Sequence, residues 1–522
     1  MSAVPDRAGL RLWLVAFTGF FLLHAGWAFA APYNGPPDEQ RHAVRAAGVL
    51  DGQLIAPPAA PDPANFQPGA DYQTVKPSER DGAGYQTVPQ SLVRPRCFPQ
   101  RVDVAADCAA EPGGDRTPVT VTTDAARYNP VYSVVTSWSL AFWPDWRGIL
   151  ISRLLTGAAI AALLACALVA GARWTRHRAL VAGLVVAATP MLAHLGGAIN
   201  PSGVEIAAAI SLFVALIWLV HEQRDGVHGG AVTLAGVSAA TLVLPRFTGV
   251  MWLVIILGAV LLPSSRSRLA ELARSRRVRV WSAVVLACCL AGLGWTVVAG
   301  AAEPYRGDFG LTRATILRVA IVDDVWPNVA NQMVGVMGWA ETLMPRLVYP
   351  VWFAAFGLLV LGALVLGDRV DRWRLVALFV ATFAPLLVLE MLIVNQIGWF
   401  TQGRYFLPGA VGLPLLAAHI LARHAATADP LRGITRVLAV LLLPIQLVCL
   451  AYTMCRWQSG LRSLNPFEGS WSPPLGSLLP LLCGAAGIAV LFAAYWIGSR
   501  GPVSSDATRS DEAVPSRPAP GR

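Results

Sequence analysis

The sequence predicts an all-α integral membrane protein with about twelve transmembrane helices and one large extracytoplasmic loop. Of its 522 residues, 55% are hydrophobic and only 14% are charged, whereas soluble proteins carry roughly a quarter charged residues. Apolar runs recur from near the N-terminus to about residue 497, and a membrane helix needs about 20 such residues. Arginines cluster in the short segments between the runs, which is a third sign of membrane topology.

The apolar runs predict spans at 10–31, 148–171, 179–198, 204–221, 230–244, 248–263, 281–301, 348–367, 375–395, 408–422, 435–455 and 476–497. The pair 230–244 and 248–263 is shorter than a usual span. It forms either two spans or a re-entrant hairpin that turns at Pro245–Gly249.

Alternating the spans from a cytoplasmic N-terminus puts the arginine clusters on the inside, as the positive-inside rule requires. The C-terminus is then cytoplasmic as well. The formal net charge of +10 is thereby explained by topology, so the lipid bilayer is the predicted environment and no nucleic-acid partner is expected. The polytopic membrane domain spans 1–500, and 501–522, rich in Ser, Pro, Arg and Asp, is predicted to be a disordered cytoplasmic tail.

Residues 32–147 form the large extracytoplasmic loop, called loop 1. Its middle, about 53–125, is rich in Pro, Gly and Asp and is predicted to be irregular. This stretch contains a short repeat, Tyr72–Val75 and Tyr85–Val88, to which no chemistry attaches.

The two ends of loop 1 look ordered. Residues 37–50 are predicted to form a short helix, and 128–146 carry the aromatic side chains typical of a helix at the lipid–water interface. Cys97 and Cys108 also lie in the loop. Because an extracytoplasmic compartment permits disulfides, we predict that this pair is bridged.

The first candidate site segment, Pro36–Arg45, follows the first span directly. On a helix, Asp38, His42 and Arg45 would share one face. A carboxylate beside an imidazole and a guanidinium can deprotonate a hydroxyl while an anionic leaving group is bound. The alternative is an ordinary N-terminal helix cap with Asp38 and Glu39 exposed to solvent.

Two further candidate segments lie near the predicted outer ends of spans. Tyr128 and Asn129 could line a sugar site, and the alternative for this aromatic segment is interface anchoring. Glu205 enters the start of a membrane helix, where ionisable residues are functional candidates. The alternative there is an N-cap arrangement, with Asn200 or Ser202 capping.

Arginines suited to phosphate form the last candidate group. Arg404 and Tyr405 stand where an outer loop re-enters the membrane, and a guanidinium matches phosphate oxygens with paired hydrogen bonds. Arg246, in the turn of the doubtful hairpin, has the same capacity. For both arginines the alternative is snorkelling to lipid headgroups. Glu390, inside a span, is expected to have a buried partner.

Some function classes are disfavoured by the sequence itself. It contains no Gly-rich phosphate loop, Walker motif, Cys/His zinc spacing or nucleophile elbow. An ATP-driven transporter and a zinc protease are therefore not expected.

The combination of motifs resembles the DUF2142 family of bacterial membrane proteins, from about residue 10 to about residue 455. That family is grouped with the GT-C superfamily of membrane glycosyltransferases, which use polyprenyl-phosphate sugars outside the cytoplasmic membrane. The motifs that carry the resemblance are Pro37–His42, Tyr128–Pro130, Asn200–Glu205 and Gly403–Pro408.

The resemblance implies a GT-C-like fold in the bacterial cytoplasmic membrane and a single displacement with inversion. Asp38 or Glu39, in the place of the superfamily's acidic motif, would deprotonate a glycan or lipid acceptor. The departing polyprenyl phosphate would meet Arg404, with Arg246 or Arg45 as further candidates. No protein metal site is predicted, although some superfamily members use a divalent cation.

Two other functions stay open at this point. A transporter or flippase of lipid-linked glycans would use the same arginines but has no need of Asp38 or Glu39. The third hypothesis is a non-catalytic membrane protein that takes part in envelope assembly. If the two carboxylates catalyse, neutralising both should abolish function and leave the fold intact, because both are expected at an exposed helix start.

Overall fold

The computed structural model describes residues 7–57, 84–223, 226–262, 264–300, 310–321 and 325–500. Within these ranges, nine helices are long and apolar enough to cross a membrane, and one pair of helices bent by 69° provides a further span. Two shorter apolar helices accompany them. The predicted all-α membrane architecture is confirmed, and its apolar segments match the predicted spans one by one.

The helices are α1 (Arg7–Ala30), α2 (Glu39–Leu50), α3 (Val131–Thr136), α4 (Ser139–Phe142), α5 (Trp146–Trp174), α6 (Leu180–Ala187), α7 (Pro190–Gly196), α8 (Pro201–Ile217), α9 (Gly229–Val243), α10 (Thr248–Leu261), α11 (Arg266–Arg274), α12 (Arg276–Val298), α13 (Arg313–Ile321), α14 (Val325–Gly335), α15 (Val348–Leu366), α16 (Arg369–Ile397), α17 (Gly403–Ala410), α18 (Gly412–His424), α19 (Asp429–Ser459) and α20 (Leu478–Ser499). The strands are β1 (Gly84–Pro89), β2 (Pro118–Thr123), β3 (Val336–Met337) and β4 (Thr342–Leu343), paired antiparallel as β1–β2 and β3–β4.

Arginines gather at one end of the helix bundle. There Arg178 donates to the carbonyl of Gly498, Arg268 donates to the carbonyl of Leu219, and Arg423 pairs with Asp371. Loop 1 lies at the opposite end, the outer end. The separation of basic clusters from loop 1 is the arrangement that the positive-inside pattern predicts.

The predicted span 179–198 is one crossing but not one straight helix. It breaks between α6 and α7, where Pro190 cannot donate a backbone hydrogen bond and disfavours helical backbone in the residue before it. The carbonyl of Ala188, at the break, accepts a hydrogen bond of 2.9 Å from the side-chain amide of Gln446. A neighbouring helix thus satisfies backbone that the break has freed.

Helices α9 and α10 form the hairpin whose course the sequence left open. At the arginine-rich end, His228 packs against Trp174 at the start of α9, and His221 Nε2 lies 3.1 Å from the carbonyl of Val260 near the end of α10. The turn lies at the outer end, because Arg246 faces the first turns of α8 there. The hairpin therefore runs the height of the bundle and does not turn halfway.

Glycines allow α1 and α20 to pack backbone against backbone. A Cβ added to Gly487 would come within 2.6 Å of the Leu23 nitrogen, and one added to Gly26 within 2.9 Å of the Pro480 carbonyl oxygen. Close approach through small residues is how membrane helices gain packing energy, because the lipid supplies no hydrophobic force between them. This contact fixes the end of α1, from which loop 1 departs.

Loop 1 is more ordered than the sequence suggested. The prediction of an irregular middle is wrong for 84–89 and 118–123, since β1 and β2 pair in register from Gly84 with Thr123 to Pro89 with Pro118. The second repeat copy, Tyr85–Val88, lies in β1, where alternate side chains are buried. The first copy, Tyr72–Val75, and the predicted tail 501–522 lie outside the described residues.

The aromatic end of loop 1 also differs from the expected single helix. Residues 128–146 fold into α3 and α4 before α5 begins. Trp138, Phe142 and Trp143 are exposed at this position, as expected of side chains that lie at a lipid–water interface.

The Cys97–Cys108 disulfide is present in loop 1, as predicted. Next to it, the fully buried guanidinium of Arg456 in α19 donates to the carbonyls of Phe98, Arg101 and Val104 at 2.7 to 2.9 Å. These hydrogen bonds attach the disulfide segment to the membrane bundle.

Replacing Arg456 should weaken the attachment of loop 1 to the membrane bundle. Arg456→Gln removes the donor from all three carbonyls, and leaving a buried carbonyl such as that of Phe98 without a donor costs about 1–3 kcal/mol. We expect a clear fall in the melting temperature of the detergent-purified protein, and faster proteolysis near Cys97–Cys108. Arg462→Gln, at an exposed arginine of the same end, is the matched control, and an equal fall there would contradict the assignment.

Candidate functional site

The candidate site lies at the outer end, where loop 1 covers the ends of α8, the α9–α10 hairpin and α17. Four charged side chains from four distant parts of the chain meet here: Asp38, Glu205, Arg246 and Arg404. These residues lie in loop 1 and at the outer ends of α8, the α9–α10 hairpin and α17. The tertiary fold therefore brings the four charged side chains together.

Asp38 precedes α2 in a left-handed backbone conformation, with φ of 61°. Its side chain makes no capping hydrogen bond to that helix, so the cap alternative is wrong for Asp38. Its carboxylate instead forms an ion pair with Arg404 and lies 3.5 Å from Arg41. The side chain is 16% exposed, which leaves the carboxylate partly accessible.

The charge state of Asp38 is set by opposing effects. Burial alone would raise the pKa of this carboxyl, but Arg404, and after it Arg41, hold the pKa at about 2. Asp38 is therefore ionised at neutral pH and bound by guanidinium groups.

Arg246 lies between two tyrosines. Its guanidinium carbon is 5.2 Å from the ring centroid of Tyr128 and 5.5 Å from that of Tyr405, and Nη1 is 3.7 Å from the Glu205 carboxylate. Arg404 adjoins the same Tyr405, donating to its hydroxyl at 3.2 Å. Two guanidinium groups thus stand side by side on aromatic supports, an arrangement that suits a phosphate.

His42 adds a neutral polar group. Its ring centroid is 5.6 Å from that of Tyr128 and 6.5 Å from that of Tyr132. Burial, and then Arg246, lower the pKa of His42 to about 3, so the imidazole is uncharged at neutral pH. Its Nε2 is buried and has no hydrogen-bond partner among the described residues, which leaves it able to bind a ligand hydroxyl.

Glu39, adjacent to Asp38, has a different environment. It is completely buried, and Arg153 of α5 donates to its two carboxylate oxygens at 2.7 and 2.6 Å. The backbone N–H groups of Asn34 and Ile199 also donate to it, at 3.1 and 3.2 Å. The expectation that both carboxylates lie at an exposed helix start is wrong, because Glu39 points into the bundle.

Other candidates from the sequence serve the scaffold. Arg45 is almost fully buried and donates to the carbonyls of Gln53, Leu54 and Tyr128 at 2.8 to 3.2 Å, so phosphate binding by it is not supported by the geometry. The side chain of Asn129 accepts from the Val131 N–H at 3.0 Å, at the start of α3.

Asn200 and Glu390 satisfy backbone groups around the site. Asn200 caps α8 by accepting from the Ser202 N–H, and donates to the carbonyl of Pro37 at 2.9 Å, which holds the segment that leads into Asp38. Glu390 accepts from the N–H groups of Phe400 and Thr401 at 3.1 and 2.8 Å. The expected buried partner of Glu390 is thus backbone, just ahead of α17.

Sequence reasoning missed Arg153 and Arg41. Arg153 stands inside a predicted span, and an arginine in a membrane helix is itself a signal of a buried carboxylate partner. Arg41, which pairs with Asp124 and approaches Asp38, gave no comparable signal because it lies among other loop charges.

The donor set does not suit a divalent cation. In the described part of the chain, no group of three or more His, Cys, Asp or Glu side chains converges. Asp38, Glu39 and Glu205 each face an arginine, and a guanidinium takes up the carboxylate oxygens that Mg²⁺ or Mn²⁺ would need.

The sequence model of DUF2142, described as a predicted membrane protein, matches residues 21–413, in agreement with the resemblance read from the motifs. No curated protein matches the chain.

Among solved structures, the chain is similar to ArnT from Cupriavidus metallidurans, bound to undecaprenyl phosphate and in the apo state. Both matches have 12% sequence identity and a TM-score of 0.41. They cover 93% of this chain and 77% and 76% of the ArnT chains. A similarity this low does not assign an activity to the chain.

Neutralising Glu39 should destabilise the protein much more than neutralising Asp38. Glu39→Gln leaves Arg153 as a buried charge without its counter-ion, which typically costs about 3–5 kcal/mol. We expect a large fall in melting temperature or in the yield of folded protein, and a much smaller change in Asp38→Asn. A double variant, Glu39→Leu with Arg153→Met, should recover part of the loss, because it removes both buried charges together. Equal stability of the two single variants would contradict the assignment of Glu39.

The pH dependence of stability should reveal the ion pair of Asp38. Because its folded-state pKa is lowered from 3.8 to about 2, its stabilising contribution is present above the ordinary value and is lost as pH falls toward 2. The shift corresponds to about 2 kcal/mol. Melting curves from pH 7 to 2.5 should show wild type above Asp38→Asn at neutral pH, and the two should converge in acid. A gap that stays constant over this range would rule out the lowered pKa.

Proposed function

The chain belongs to the DUF2142 family of predicted membrane proteins, and we propose that it is a membrane glycosyltransferase. In this proposal it transfers a sugar from a polyprenyl-phosphate donor to a hydroxyl of an envelope glycan or lipid. The outer end faces the extracytoplasmic side of the bacterial cytoplasmic membrane, with both termini in the cytoplasm.

The observation that carries the proposal is the grouping of Asp38 with Arg404 and Arg246. An ionised, partly accessible carboxylate, which belongs to loop 1, stands beside two guanidinium groups of the membrane bundle. A glycosyl transfer from a phosphate needs both elements, a proton acceptor for the incoming hydroxyl and cations for the departing phosphate.

Binding of the donor would move the Arg404 guanidinium from Asp38 to the donor phosphate. In the resting structure Arg404 is bound to Asp38, and a carboxyl with a pKa of about 2 is a weak base. When the donor phosphate takes up Arg404 together with Arg246, Asp38 loses its strongest opposite charge. Burial then raises the pKa of Asp38, so the carboxylate becomes a better base only when the donor is in place.

The reaction is a single displacement. Asp38 accepts the proton of the acceptor hydroxyl, whose oxygen forms a bond to the anomeric carbon from the face opposite the phosphate. The bond between the anomeric carbon and the phosphate oxygen breaks, and its electron pair stays on the phosphate, where Arg404 and Arg246 stabilise the charge. The product therefore has inverted configuration.

The remaining site residues have supporting roles in this scheme. His42, neutral and with an unpartnered Nε2, is assigned to a sugar hydroxyl. Tyr128 and Tyr405 contact the Arg246 guanidinium through their ring faces. Their assigned role is to position Arg246 for the donor phosphate. Base catalysis is assigned to Asp38 alone, and Glu39 anchors the segment. No step of the proposed transfer is routed through a divalent cation.

The test is an envelope-glycan profile of a deletion strain, complemented at matched expression with wild type, Asp38→Asn or Arg404→Gln. Wild type should restore a glycosyl residue that the deletion strain lacks. We expect at least a hundredfold lower transfer with Asp38→Asn, as is typical when general base catalysis is lost. Arg404→Gln should be similarly impaired.

Asp107→Asn, at an exposed aspartate of the same loop, is the matched control and should restore the glycan fully. Full restoration by Asp38→Asn would contradict transferase activity. If Arg404→Gln failed in that same experiment, the result would favour a transporter of lipid-linked glycans, which needs the phosphate contacts but no base.

A further inference from the structure

A groove between α10 and α16 opens at the arginine-rich end, far along the bundle from the candidate site. It is an open groove with a volume of about 680 Å³. Its lining is mostly aliphatic and contains two arginines, one tryptophan and no acidic residue; the residues are Val254, Ile255, Gly258, Ala259, Leu262, Arg369, Val370, Trp373, Arg374, Ala377, Leu378 and Ala381. We infer that this groove binds an anionic phospholipid, with an acyl chain between the helices and the phosphate at Arg369 and Arg374.

The length of the groove fits one leaflet. Along α16 the lining runs from Arg369 to Ala381, which is about 18 Å at the helical rise of 1.5 Å per residue. Half of a hydrocarbon core about 30 Å thick is about 15 Å. An acyl chain of a single leaflet therefore fills the groove, whereas a chain that spans the bilayer would extend beyond it.

The basic end of the groove has donors for a headgroup. Arg374 donates through Nε to the carbonyl of Ala259 at 2.6 Å, and its Nη2 lies 2.7 Å from His221 Nε2. Its Nη1 has no hydrogen-bond partner in the described ranges. Arg369 is exposed beside it, and Trp373, which is 62% exposed, adds an aromatic ring at the headgroup level.

Two acidic residues lie near this end, and both pair with Arg423, Asp371 at 2.7 Å and Asp368 at 3.1 Å. Asp371 also acts on the charge of Arg374, but Arg369, Arg374 and Arg423 outnumber the two carboxylates. The groove thus combines apolar walls with an excess of positive charge at one end, and basic pockets between membrane helices favour anionic headgroups. Charge complementarity distinguishes phosphatidylglycerol from the zwitterionic phosphatidylcholine as the occupant.

The experiment is native mass spectrometry of the full-length, delipidated protein titrated with palmitoyl-oleoyl phosphatidylglycerol or phosphatidylcholine. Wild type should retain one phosphatidylglycerol at concentrations where phosphatidylcholine is lost. Arg369→Gln should weaken phosphatidylglycerol binding about fivefold, the effect expected of one arginine near an anionic headgroup. Gly258→Trp, which fills the groove, should abolish retention.

Matched controls separate binding from general damage. A Cβ at Gly258 would have only Leu262 nearby, at 3.9 Å, and a Cβ at Gly357 has the same free space at a helix position outside the groove. Gly357→Trp should therefore bind as wild type does. Arg372→Gln changes the charge by the same amount as Arg369→Gln, at an exposed residue outside the lining, and should have no effect.

Two outcomes would overturn the inference. One is equal retention of phosphatidylglycerol and phosphatidylcholine by wild type. The other is an equal loss of binding in the control variants Arg372→Gln and Gly357→Trp. Neither result bears on the glycosyltransferase proposal, because the groove and the outer site share no residue.

Discussion

The structure of the outer end depends on the buried ion pair between Glu39 and Arg153. Arg153 also donates to the carbonyls of Ala28, Ala31 and Pro32 at 2.7 to 3.0 Å, so one guanidinium joins the end of α1, the start of loop 1 and α5. The Glu39 carboxylate extends the network to Ile199, ahead of α8. Charges buried this deeply are tolerated only when hydrogen bonds satisfy both partners. Here the satisfied pair fixes where loop 1 leaves the membrane bundle.

The position of Asp38 depends on its neighbour Glu39. With Glu39 drawn inward, Asp38 takes the left-handed conformation that turns its side chain toward Arg404. The carbonyl of Pro37, held by Asn200, fixes the segment from the other side. Two adjacent acids in the sequence therefore have separate environments, since Glu39 stabilises the fold and Asp38 faces Arg404.

Much of this was predictable from the sequence, and the failures have physical reasons. Hydrophobic runs located the spans, and the charge rule located loop 1, because the bilayer imposes length and sidedness on every helix. Motifs identified Asp38, Arg246 and Arg404 as candidates. Sequence alone could not show that Glu39 is buried, since its partner Arg153 lies 114 residues away. Nor could it predict β1 and β2, whose pairing depends on contacts between segments about 30 residues apart that carry weak local patterns.

In the proposed mechanism, Arg404 pairs with Asp38 at rest and moves to the donor phosphate when the donor binds. The most direct test is the titration of purified wild type, Asp38→Asn and Arg404→Gln with undecaprenyl phosphate, followed by native mass spectrometry. If Arg404 moves in this way, Asp38→Asn binds undecaprenyl phosphate at least as tightly as wild type, because Arg404 no longer has a competing carboxylate. Arg404→Gln should bind about tenfold more weakly, which corresponds to a loss of about 1.4 kcal/mol. Loss of binding in Asp38→Asn, or wild-type affinity in Arg404→Gln, would contradict the account.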